Sequence, residues 1–169
     1  MEAALLNEFK EHSCFRLKEG QRMIHLAFKT VDDSMVWELP FSGGMCLGNQ
    51  LLHIAGNMTQ YIISSLGQIK DERQRALEFS ANGGKSKEEL LQLLDTTVEA
   101  AIKTIEKAHH AEFLKARKVQ GFEFSGVGVV LHAVEHFSYH VGQITFWVKL
   151  LTGNDLGFYA HHNLSQLNE

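Results

Sequence analysis

At 169 residues, with 44% hydrophobic and 21% charged residues, the chain has the size and composition of one globular domain with a real core. A formal net charge of −4, with no basic cluster interleaved with aromatics, argues against a nucleic-acid partner. No apolar run approaches the ~18 residues a span requires, and the segment from Met1 to Glu11 carries Glu2, Glu8, Lys10 and Glu11, so neither a membrane helix nor a signal peptide is expected.

These features predict a cytoplasmic protein of one domain, residues 1–169, with Cys14 and Cys46 as separate reduced thiols. A single proline, Pro40, permits long helices. The first is expected from about Ala3 to Thr30, with Leu5, Leu6, Phe9, Leu17, Met23, Ile24 and Phe28 as its apolar stripe. Gly20 weakens it locally. A connection from Val31 to Gly44 follows, marked by Asp32, Asp33, Pro40 and Gly43-Gly44.

The second helix is expected from about Met45 to Leu66. Leu51, Ile54, Met58, Tyr61 and Ile62 form its apolar face. His53, Asn57, Gln60 and Ser64 share a separate polar stripe, for which a solvated face is the plain expectation. Gly67 to Lys85 reads as a long crossover, and connections of that length are often functional. Ser86 with Glu89 forms a capping box that starts the third helix, which should continue to about His110. Leu90, Leu91, Leu94, Val98, Ala101, Ile102 and Ile105 are its buried stripe.

Ala111 to Ser125 reads as a second connection. Ser125 is placed to cap a fourth helix, about Gly126 to Leu151, with Gly153 past its end. This helix is apolar nearly all round, with one stripe at Val127, Val130, Val134, Phe137, Val141 and Val148. The other runs through Val129, His132, His136, His140, Gln143 and Trp147. A helix this apolar is either deeply buried or covered on its second face by a partner chain, here expected to be a second copy. The tail from Thr152 to Glu169 is expected to be irregular, pinned by Leu156, Phe158 and Tyr159.

Histidines carry the chemistry. A spacing of four puts two imidazoles one turn apart on one helix face, and a third ligand from a neighbouring helix completes a metal site. On the fourth helix the pair is either His132/His136 or His136/His140; His53 on the second helix is the best third ligand. Three neutral imidazoles favour zinc, nickel, iron or copper over magnesium or calcium. An open fourth position would hold water near neutral pKa or a thiol as thiolate. Asn57 and Gln143 are candidates to orient a ligand, and Tyr61 and Tyr139 to donate a proton. His109 and His110 should end the third helix, where cationic groups suit its dipole. His161 and His162 lie in the tail, from which His161 could fold over the metal.

Four long helices, a histidine on the second and His136-Phe137-Ser138-Tyr139-His140-Val141-Gly142-Gln143 on the fourth resemble the DinB-like metalloenzyme superfamily. Within it the likeness is to a bacterial subgroup whose activity is uncharacterised. Gly48 to His53, Arg75 to Phe79, His132 to Gln143 and Leu151 to His161 carry it over most of the chain. The resemblance implies an all-α four-helix bundle with a long crossover between helices two and three. It also implies a divalent metal, nickel or zinc, on His53, His136 and His140, leaving His132 flanking the site. The family often has arginine before the motif's glycine, where this chain has Val141. Relatives include dimers and metal-dependent transferases that join low-molecular-weight thiols to electrophiles, besides hydrolases and isomerases. The implied function is therefore a small-molecule, thiol-using enzyme; the competing expectation is a non-catalytic, stress-linked metal-binding dimer.

Overall fold

The computed structural model describes residues 2–168. Four helices form the bundle: α1 (Glu2–Phe28), α3 (Leu47–Met58), α5 (Lys87–Lys107) and α7 (Gly126–Thr152). Short helices α2 (Asp33–Val36), α4 (Arg75–Ser80) and α6 (His110–Leu114) lie in the connections. Each long helix packs on two others, in the cyclic order α1, α7, α3, α5. The fold is all-α, as expected. No helix among the described residues is long and apolar enough to cross a membrane.

The core follows the apolar stripes. Leu17, Ile24 and Phe28 of α1 are buried against Leu51, Ile54 and Met58 of α3, Leu90, Leu94 and Val98 of α5, and Val130, Phe137 and Val148 of α7. Leu5, expected in the first stripe, is exposed instead, while Leu6 and Phe9 of the same stretch pack on the core. Gly20 costs α1 helix propensity but admits the Phe137 ring, which lies 2.8 Å from where its Cβ would sit. Gly126 likewise lets the start of α7 pass against the Glu112 carbonyl and Phe113 backbone of α6.

The helix ends obey their sequence signals. Ser86 and Glu89 form the capping box of α5, and the Ser125 hydroxyl accepts from Gly128 N at the start of α7. Gly153 closes α7 in the left-handed conformation, φ 67°. Cys46 caps α3, exchanging hydrogen bonds with Asn49.

Three expectations need correction. The second helix changes winding: after Met58 the chain continues as a π-helical stretch, Thr59–Leu66. The crossover after it is not structureless, since α4 lies within it and packs on α3. The third helix stops at Lys107, so His109 does not cap its C-terminus; its side chain instead accepts from Ala111 N at the start of α6. The second connection also holds a hairpin, β1 (Arg117–Val119) against β2 (Phe122–Phe124), antiparallel with Val119 opposite Phe122. Its two turn residues, Gln120 and Gly121, both take positive φ, as a tight hairpin turn demands.

Candidate metal centre

α3 and α7 run side by side, so one turn of α3 meets two turns of α7. His53 Nε2 lies 3.1 Å from His136 Nε2, and the His53 and His140 rings are 5.1 Å apart. One ligand atom from each of His53, His136 and His140 falls within 4.8 Å of the others, a spread one divalent ion can span. His136 and His140, rather than His132 and His136, are the pair that gathers with His53. His132 lies outside the group, stacked on the Tyr61 ring at 4.1 Å and tilted against Phe124.

The support behind His53 was not read from the sequence. Its Nδ1 lies 2.8 Å from Glu78 Oε2, and Glu78 is clamped by Arg73 through Nε to Oε1 at 2.7 Å and Nη2 to Oε2 at 2.8 Å. Burial alone would raise the Glu78 carboxyl, but the hydrogen bonds from Arg73 and His53 outweigh it and hold the group below its ordinary range. An ionised Glu78 can only accept, so the shorter of the two contacts at His53 Nδ1, 2.8 Å to Glu78 Oε2 against 3.1 Å to Arg73 Nη2, puts the proton on Nδ1 and leaves Arg73 Nη2 to donate to Glu78. Nε2 then presents its lone pair toward His136, the arrangement a carboxylate imposes on a metal-binding histidine.

Local chemistry places α4 where it can do this. Asn49 Nδ2 donates to the carbonyls of Glu78 and Ala81, tying α4 to the first turn of α3. Gly56 leaves the groove open: a Cβ there would collide with the Glu78 carboxylate. Arg73 Nη1 also donates to Gln60 Oε1, and Gln60 to Asp71, so the polar stripe of the second helix is spent on the crossover rather than on solvent. Asn57 and Ser64 of that stripe are buried as well.

Burial and the neighbouring imidazoles push the His136 pKa down to about 3, and burial with the nearby His53 pushes His140 down to about 4. Both rings are therefore neutral near pH 7, the form that binds metal. With the His53 proton on Nδ1, the 3.1 Å contact is a hydrogen bond from His136 Nε2 to the His53 Nε2 lone pair, and a cation bound between the two would take the place of that proton. The donor set fits a borderline ion such as zinc or nickel.

The other candidates scatter. Asn57, one turn after His53, is buried, and its Oδ1 has no hydrogen-bond partner among the described residues. Gln143 is exposed and near enough to His140 to offset part of its pKa depression, while Gln50, which the sequence reading passed over, sets its Oε1 3.5 Å from His140 Nδ1. Tyr139 is exposed, with its ring edge-on to His140. Tyr61 is fully buried and donates its hydroxyl to Gln120 Oε1, so its proton is directed at the hairpin turn and not at the triad. His161 is exposed and outside the triad. The tail around it lies on α1, where Arg22 donates to the Phe158 carbonyl and Tyr159 to Glu19.

Glu78→Gln should weaken zinc binding by about 10- to 100-fold in competition titrations and, by unpairing buried Arg73, cost about 3 kcal/mol in urea unfolding. The histidines also set a pH dependence for the metal-free protein. His136 and His140 have folded pKa values below the ordinary 6.5, so between about 6.5 and 4 the unfolded chain binds more protons. Stability should therefore fall as pH drops through that window. The same titration on His136→Gln should give a shallower slope.

Comparison with known proteins agrees with this fold. No curated protein matches the chain. A solved structure described as a DinB-like protein from Bacillus cereus ATCC 10987 is similar to it with TM-score 0.65 and 15% identity, over 88% of this chain and 93% of that one. The fold is thus DinB-like. A family model described as "Protein of unknown function (DUF1572)" matches residues 5–160, and the chain belongs to that family.

Proposed function

We propose that this one-domain chain is a cytoplasmic metal-dependent enzyme that holds one zinc or nickel ion on His53, His136 and His140 and transfers a low-molecular-weight thiol to an electrophile. The observation that carries the metal reading is the aim of His53. Its Nδ1 is committed to Glu78, and its Nε2 faces His136 Nε2 at 3.1 Å. Support for an open site comes from the ligand count: among the described residues, the group contains three protein donors and no fourth. A divalent ion there would supply Lewis acidity, lowering the pKa of a bound thiol or water to near neutral.

The residues around the triad divide the remaining work. Glu78 and Arg73 keep His53 in one tautomer. Gln50 orients His140, its Oε1 lying 3.5 Å from Nδ1. Tyr139 stands at the exposed edge, where its hydroxyl can meet a substrate. The thiol proton passes to solvent, and as the sulfur bonds to the electrophilic carbon the bond from that carbon to its leaving group breaks, the leaving group departing with the electron pair.

A homodimer is part of the proposal. Leu131, Phe146 and Leu150 lie along one exposed stripe of α7, and Gly142 sits in its middle facing open space. A mid-helix glycine costs about 1 kcal/mol against alanine, which close approach of a second helix would offset.

His53→Ala and His140→Ala should abolish stoichiometric metal in equilibrium dialysis, while His110→Ala keeps it; unchanged metal content in both triad variants refutes the assignment. Light scattering at micromolar concentration should give a dimer, which Phe146→Glu converts to monomer. A wild-type monomer would remove the second copy from the account.

A further inference from the structure

The rim of the triad carries two exposed aromatic rings and one cation. Phe79 of α4 has its ring 4.9 Å from that of His53 and is 39% exposed. Tyr139 of α7 sets its edge against His140. The Arg75 guanidinium carbon lies over the Phe79 ring, 4.5 Å from its centroid. The two nearby arginines differ in how their charge is used. Arg73 is spent on Glu78, whereas Arg75 is exposed and has no carboxylate partner among the described residues. Stacking on a ring fixes a guanidinium in place and leaves its edge free to donate to an anion.

From this arrangement we infer that Arg75 is a specificity-determining residue that reads an anionic group, a carboxylate or phosphate, on the substrate of the metal centre. The substrate class is a small molecule with a metal-seeking end, an apolar body and a distal negative charge. The body lies between Phe79 and Tyr139. Its charge is directed to the α4 side, because the α7 side carries the exposed carboxylate Glu135, one helical turn before Tyr139. In a chain of net charge −4, an unpaired arginine beside the site also gives an anion its local attraction. This inference rests on the metal reading above, and it concerns recognition rather than the reaction.

The test uses the full chain loaded with cobalt in place of the native ion, and two thiol probes of equal length. Mercaptohexanoate carries a distal carboxylate and mercaptohexanol a hydroxyl; both are titrated by the thiolate-to-cobalt absorption band. Wild type should bind mercaptohexanoate about five- to tenfold more tightly, the range of a charge-assisted hydrogen bond near a surface. The preference should shrink with added salt. Arg75→Gln should erase it, and Arg75→Lys should keep part of it, with cobalt stoichiometry unchanged in both. Equal affinities in wild type, a preference that survives Arg75→Gln, or a cobalt spectrum that neither probe alters would overturn the inference while leaving the metal site standing. Failure of the wild type to take up cobalt would overturn both.

Discussion

The site depends on one buried ion pair. Arg73 and Glu78 meet through two hydrogen bonds, and the carboxylate passes its charge on to His53 Nδ1. Burying two charges is costly, and a pair of this kind commonly breaks even against apolar packing. Its return lies in direction. It fixes one imidazole in one tautomer, with its lone pair aimed across the α3–α7 seam. Without the pair, His53 could rotate or swap its proton, and the convergence on His136 would be lost.

Much of the surrounding architecture serves that alignment. Asn49 ties α4 to the start of α3, and Gly56 clears the space Glu78 enters. On the other side of the seam, α7 is held by contacts that its own histidines do not make. Phe137, next to His136 in sequence and so about 100° around the helix from it, fills the space above Gly20 of α1. The helix is thus locked in rotation by its apolar face, and this sets where the two imidazoles point. A helix anchored only by the histidine face would have to form the site and its own packing from the same contacts.

What the sequence reveals here follows from periodicity. Four long helices leave apolar stripes of many repeats, and His136 and His140 are legible because a spacing of four has one meaning on a helix. Spacing alone could not separate them from His132, which stacks on Tyr61 of the neighbouring helix outside the group of three. Arg73 and Glu78 stay hidden because α4 has only six residues, too few to produce a period. A signal existed nonetheless: Leu77 and Phe79 bracket Glu78 within an otherwise polar crossover. Reading His53, Asn57, Gln60 and Ser64 as a solvated stripe fails for the same reason, since the crossover that covers them left no periodic trace. The π-helical stretch at Thr59–Leu66 has no residue-level signal that we can identify. The hairpin was legible in principle from Gln120-Gly121 between two short alternating runs.

The central claim is that His53, His136 and His140 hold one divalent ion with a position left open. The most direct test is elemental mass spectrometry of untagged protein, joined to the metal-edge X-ray absorption spectrum of the same sample. About one equivalent of zinc or nickel, with a shell of three imidazole nitrogens and an exchangeable oxygen, is the expected result. A protein with no stoichiometric metal even after reconstitution, or with a fourth protein ligand closing the shell, would contradict it.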